Sequence, residues 1–175
     1  MRTYRAMAFD LCNTLCEFRA ERLPSVRFDG REVRSTAPLL YPLIREAAPQ
    51  VEEKAFLEAF HRSSVELDAK KREEGREIPL GVRFYRLLER LGISCGDRAT
   101  DLVLRLTERH AEALLSAMHC PPSHRELIRT LAGRYRLALI TNFDHPRTAR
   151  RLLERDGMAD CFHAVAISGD IGWRK

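Results

Sequence analysis

The chain has 175 residues, 45% of them hydrophobic and 31% charged, with a formal net charge of +5. Such a composition is globular rather than disordered, and the length suits one domain or a small domain carrying an insertion. The longest apolar stretches fall far below the roughly 18 residues that span a bilayer. The N-terminal MRTYRAMAFD has no apolar run of signal-peptide length, so neither a membrane partner nor a secretory leader is expected.

Residues 4–9 (YRAMAF) are short and apolar and read as a buried strand, left by a polar loop at 10–15. Residues 19–36 carry Pro24 and Gly30 without a clear period and read as loop or a short hairpin. Helices follow for about a hundred residues. Pro38 and Pro42 punctuate a short one. Within 50–72, Phe56, Ala59, Phe60, Ser63 and Leu67 share a face. Within 79–91 the expected face is Val82, Tyr85, Leu88 and Leu91, with Gly92 as the stop. Within 97–118 a broad stripe runs through Leu102, Val103, Leu106, His110, Ala113, Leu114 and Ala117. His110 is read there as a packed core histidine rather than a ligand.

Pro121-Pro122 ends that block. Ser123 and Glu126 have capping-box spacing for a helix over 124–132 that stops at Gly133. YRLALI at 135–140 is strand-like. A helix over 146–156 follows, with Asp144 or His145 near its N-cap, Pro146 in its first turn and Gly157 after it. FHAVAI at 162–167 is a third strand, and SGDIGWRK follows. Strands separated by helices predict parallel pairing and an α/β, Rossmann-like core. The helical block is too long for one crossover and reads as a cap inserted after the first strand. The expected division is a discontinuous core of 1–15 and 120–175, with the cap at 16–119.

Charge and cysteines bound the partners. Of the 30 basic residues 26 are arginine, interleaved with acids as in AKKREEGRE at 69–77, which reads as solvated helix surface rather than a nucleic-acid face. The five cysteines (12, 16, 95, 120 and 161) are odd in number and lack framework spacing. They predict a reduced, cytoplasmic chain without structural zinc, in which Cys16 and Trp173 serve as packing residues.

In an open parallel sheet, ligands bind beyond the carboxyl ends of the strands. Three polar clusters fall there: Asp10 to Thr14, Thr141-Asn142, and Ser168 to Lys175. A carboxylate can act as a covalent nucleophile, while a hydroxyl, a lysine and free amides can hold an anion. These residues alone indicate an α/β enzyme or binding module with an anion pocket.

The same clusters resemble the motifs of the haloacid dehalogenase superfamily. AMAFDLCNTL is similar to its apolar strand followed by Asp-x-Asp-x-Thr-Leu, LALITN to its strand ending in Ser or Thr, and ISGDIGWRK to its lysine motif. The resemblance covers nearly the whole chain. It implies a hydrolase in which Asp10 is the nucleophile and Lys175 offsets negative charge. It implies that Thr141 and Asn142 hold the phosphoryl group, with Thr14 in the same pocket. Magnesium would be held by the Asp10 carboxylate, the Cys12 backbone carbonyl and an acid from a fourth motif, oxygen donors that suit the ion. The implied substrate is a small phosphorylated metabolite.

Two departures bear on this. Cys12 stands where the phosphatases carry an acid/base aspartate, and a thiol with a pKa near ~8.5 is a poor substitute. Dehalogenase-like members need no acid there and no metal, so Cys12 adds a 2-haloacid dehalogenase as the alternative. A catalytically impaired, ligand- or partner-binding member is the reading from another class. The family also continues past its motif lysine. No acidic fourth motif follows Lys175 in this sequence, so the metal set and the sheet are expected to be incomplete. Asn13 replaces the family's glycine and tolerates left-handed backbone. The arginines 19, 22, 27, 31 and 34 are candidates for substrate-anion contacts, His145 is a helix-start residue, and the oligomeric state stays open.

Overall fold

The computed structural model describes residues 4–28, 30–93 and 96–175. Its backbone separates into two compact units: one comprises the residues through Arg19, Gly75–Glu77 and Met118–Lys175, the other Ala20–Glu74 and Ile78–Ala117. No helix among the described residues is long and apolar enough to cross a membrane. Cys95 lies outside the described residues.

The first unit is built on a three-stranded parallel sheet of β1 (Ala6–Phe9), β6 (Arg136–Thr141) and β7 (Ala164–Ile167), in the order β1-β6-β7. Phe9 pairs with Leu139, and Thr141 pairs with Ile167. The parallel pairing expected from strand-helix alternation is therefore present. β1 lies at an edge of this sheet among the described residues. Helices α5 (Pro122–Ala132) and α6 (Pro146–Arg155) form the connections; they bury Ile128, Ala149, Leu152 and Leu153, and β6 buries Leu137 and Leu139.

A second, two-residue ladder pairs β2 (Glu17–Phe18) with β5 (Met118–His119), antiparallel, Glu17 facing His119. One step further along the same register Cys16 faces Cys120. The two form a disulfide with Cα atoms 4.1 Å apart, across 104 residues. This corrects the expectation of reduced cysteines and of Cys16 as mere packing. Neighbouring residues on an antiparallel pair come this close only through sheet register, which sequence spacing does not reveal.

The second unit is helical, with a hairpin of β3 (Ser25–Phe28) and β4 (Arg31–Arg34) at its start. Its helices are α1 (Ala37–Ala47), α2 (Glu53–Glu74), α3 (Leu80–Arg90) and α4 (Asp97–Ala117). Leu40, Ile44, Phe56, Phe84, Leu87, Leu102 and Leu106 form their shared core. His110 is buried, its Nδ1 2.7 Å from the Thr36 hydroxyl and its ring against Phe60 and Phe84. It is the core histidine that its place on the stripe indicates.

Two local expectations are corrected. The buried face of α3 is Leu80, Phe84, Leu87 and Leu88, while Tyr85 is exposed and bonds the Thr100 hydroxyl. The stripe rotates because Phe84 and Leu87 complete an i, i+4, i+7 row from Leu80 that is wholly apolar, whereas Tyr85 keeps its hydroxyl wet. The Ser123–Glu126 capping box does not form. α5 starts at Pro122, two residues earlier, with Pro121 as N-cap and no side-chain cap. Proline at the first helical position already removes one of the orphan N–H groups a cap would serve.

Candidate active site

All three sequence clusters lie at the carboxyl ends of the parallel strands. Asp10 follows β1 directly, Thr141 ends β6, and Ser168 follows β7 as the first residue of a short helix, α7 (Ser168–Ile171). Parallel register places these ends side by side, so residues 10, 141 and 168 meet although up to 158 positions separate them in sequence.

After β1 the chain makes a tight turn. Leu11 N–H donates to Asp10 Oδ1 at 2.7 Å. Asn13 N–H donates to the Cys16 carbonyl at 2.7 Å, and the Leu15 and Cys16 amides return to the Leu11 carbonyl. Asn13 carries a φ of 58°, the left-handed conformation this turn requires and that asparagine adopts more readily than most residues. Thr14 is exposed in the turn, and its side chain makes no hydrogen bond among the described residues.

Lys175 reaches back across the strand ends. Its Nζ lies 2.6 Å from Asp10 Oδ1 and donates to the Ile140 carbonyl at 3.1 Å. Its backbone N–H donates to Asn142 Oδ1 at 3.0 Å. Asn142 Oδ1 thus contacts the lysine's main chain. Thr141 Oγ1 is buried, and no hydrogen bond to it is formed among the described residues. A buried hydroxyl left unmatched is costly unless something occupies its bonding positions.

Cys12 completes the cluster. Burial pushes its thiol above the ordinary thiol range, and the Asp10 charge adds to that; the Thr141 hydroxyl and the Lys175 ammonium oppose it. Near neutral pH Cys12 is a neutral thiol, unable to supply what a carboxylate would.

For magnesium, the Asp10 carboxylate and the Cys12 carbonyl offer oxygen donors of suitable hardness. The set is incomplete. Among the described residues, the three metal-ligating side chains that cluster are Cys16, Cys120 and Asp156, and Asp10 is not one of them. In that cluster the sulfurs are joined to each other, and the Asp156 carboxylate is held by Arg125 and Arg155.

Ser168, the first residue of the third strand-end cluster, accepts at Oγ from Phe143 N–H at 2.9 Å and donates to Glu77 Oε2 at 2.6 Å. Sequence reasoning did not single out Glu77, which sits in a charged stretch and carries no local signal. His145 caps α6, with Nδ1 2.7 Å from the Thr148 hydroxyl. Of the candidate arginines, Arg19 pairs with Glu17, Arg22 donates to the Ser116 carbonyl and Arg34 to the Leu23 carbonyl.

No protein-family model matches the sequence, and no curated protein matches it either. Solved structures do. A 2-haloacid dehalogenase from Pseudomonas syringae pv. Tomato DC3000 superposes with a TM-score of 0.62 at 20% identity, covering 98% of this chain and 66% of that one. YfnB from Bacillus subtilis, assigned as a HAD-hydrolase and solved bound to magnesium, gives 0.52 at 21% identity, covering 99% and 68%. The chain thus spans about two thirds of the length of these structures. The arrangement of strand ends described above is accordingly set in the fold of the haloacid dehalogenase-like proteins.

Proposed function

We propose that the chain belongs to a hydrolase that uses Asp10 as a covalent nucleophile on a small anionic substrate. The observation that carries this is the approach of Lys175 Nζ to Asp10 Oδ1 at 2.6 Å, at the mouth of the parallel sheet. The ammonium faces the nucleophile and offsets charge when the substrate anion arrives. The unmatched Thr141 hydroxyl is available to that anion. Asn142 holds Lys175 in place from its backbone, and Thr14 stands at the rim.

The leading substrate class is a phosphate monoester. The Asp10 oxygen attacks phosphorus, the bond to the leaving oxygen breaks and that oxygen takes its proton from solvent, and water later cleaves the aspartyl phosphate to inorganic phosphate and free Asp10. Magnesium, when bound, would neutralise phosphoryl charge from Asp10 and the Cys12 carbonyl. The second reading is a 2-haloacid, favoured by Cys12. There Asp10 attacks carbon, and halide leaves with the bonding pair and needs no proton, so a neutral thiol suffices. The dehalogenase from P. syringae carries that chemistry in its name. A cytoplasmic setting belongs to the same proposal, one in which the Cys16–Cys120 bond would face a reducing thiol pool.

The test is release of phosphate from para-nitrophenyl phosphate, with and without magnesium, and of chloride from 2-chloropropionate, by wild type and Asp10→Asn. Release that Asp10→Asn abolishes while the protein stays folded supports the nucleophile, and the substrate that reacts selects the class. Release that survives the substitution refutes it. No release from either probe by the wild type favours a binding member of the fold.

A further inference from the structure

Glu77 is nearly inaccessible, with 1% of its side chain exposed, and it lies in Gly75–Glu77, the short stretch between α2 and α3 that packs with the sheet unit. Its Oε2 accepts from the Ser168 hydroxyl at 2.6 Å and from Arg174 Nη1 at 3.0 Å. The backbone reinforces both contacts. Glu77 N–H donates to the Gly172 carbonyl at 3.1 Å, and Arg174 N–H donates to the Gly75 carbonyl at 2.9 Å. The Arg76 guanidinium stacks 4.2 Å over the Trp173 ring.

These bonds grip residues 168–174 at both ends, and the next residue is Lys175. At the front, Ser168 Oγ also accepts from Phe143 N–H, and Gly169 N–H donates to the Phe143 carbonyl. A Cβ on Gly169 would come within 2.7 Å of that carbonyl, so the approach requires glycine. At the back, Gly172 turns the chain with a φ of 80°. One carboxylate therefore bonds the residue beginning the turn and the residue preceding the lysine.

We infer that Glu77 is a positioning residue: its buried carboxylate fixes the Ser168–Arg174 segment and so sets Lys175 against Asp10. A carboxylate is buried at high cost and persists only where its partners meet it with good geometry. Here those partners belong to the segment that delivers the lysine. The inference rests on the reading of Asp10 and Lys175 as the working pair.

The experiment is competitive labelling of lysines with trinitrobenzenesulfonate, read by peptide mass spectrometry as Lys175 relative to the exposed Lys54. It compares wild type, Glu77→Ala and Glu77→Gln under conditions where circular dichroism shows each folded. Lys175 labelling in Glu77→Ala should rise roughly threefold or more as the segment opens locally. In Glu77→Gln it should stay within about twofold of wild type, since the amide oxygen still accepts from Ser168 and Arg174. A wild-type ratio in folded Glu77→Ala overturns the proposal. Should that variant fail to fold, Ser168→Ala takes its place, with the same expected rise and the same overturning result. Labelling needs no substrate. Failure of the hydrolase reading shows separately, as wild-type protein that turns over neither para-nitrophenyl phosphate nor 2-chloropropionate.

Discussion

Lys175 Nζ and Asp10 Oδ1 lie 2.6 Å apart, although the two residues stand near opposite ends of the sequence. Both side chains are only partly covered, at 38% and 35% exposure. A surface pair of this kind adds little to stability, and the role proposed for it is chemical. Lys175→Met should leave the melting temperature close to wild type and lower kcat/KM by about 10²-fold or more, as loss of one preorganised charge contact does. Thermal melts and initial rates on whichever probe the wild type turns over would check this. Full turnover in Lys175→Met would remove the lysine from the mechanism.

Cys12 makes a prediction about pH. Burial, then the Asp10 charge, holds its thiol above the ordinary thiol range, so the thiolate forms only at alkaline pH. Alkylation of Cys12 by iodoacetamide, followed by mass spectrometry, should show a midpoint above that of free cysteine and lag free cysteine at pH 7.5. A midpoint near or below neutrality would contradict the environment described. Cys12→Asp should raise phosphate-monoester turnover by about 10²-fold if a proton donor is what that chemistry lacks. It should leave turnover of a 2-haloacid without such a gain.

The Cys16–Cys120 bond closes a loop across 104 residues. In oxidised protein the loss of this link by Cys16→Ser with Cys120→Ser should cost about 2–4 kcal/mol. Denaturant melts with and without dithiothreitol would measure it. A reductant-insensitive wild type whose thiols all titrate would show that the pair stands open.

Glu46 on α1 and Arg105 on α4 form a two-pronged pair, with Nη2 to Oε2 at 2.7 Å and Nη1 to Oε1 at 3.1 Å. The guanidinium's hydrogen bonds, and then its charge, hold the Glu46 carboxyl below its ordinary value of 4.5. A depressed acid contributes stability above its unfolded value and loses it as pH falls through the folded one. Glu46→Gln should therefore lower the melting temperature slightly at pH 7 and low salt. The difference should vanish well below pH 4.5, and also in molar salt. A gap that persisted in acid would point to packing instead.

What the sequence determined by itself is the alternation of strands and helices and the chemistry gathered at three strand ends. Short apolar runs at 4–9, 135–140 and 162–167 are local signals, and parallel strands with helical crossovers bring their carboxyl ends together wherever the chain travels between them. Asp10, Thr141 and Lys175 were legible on that ground. His110 was legible too, because a histidine on an apolar helical stripe is placed by periodicity. Tertiary structure alone decided which distant groups meet. Cys16 faces Cys120 through ladder register, and the buried face of α3 turned toward Leu80, Phe84 and Leu87 because neighbouring helices select the better-packing stripe. Glu77 looks in sequence like one more charge in a solvated run, yet the fold buries it on Ser168 and Arg174. Local propensity is a sum over near neighbours, whereas a buried carboxylate is defined by partners 91 and 97 residues away.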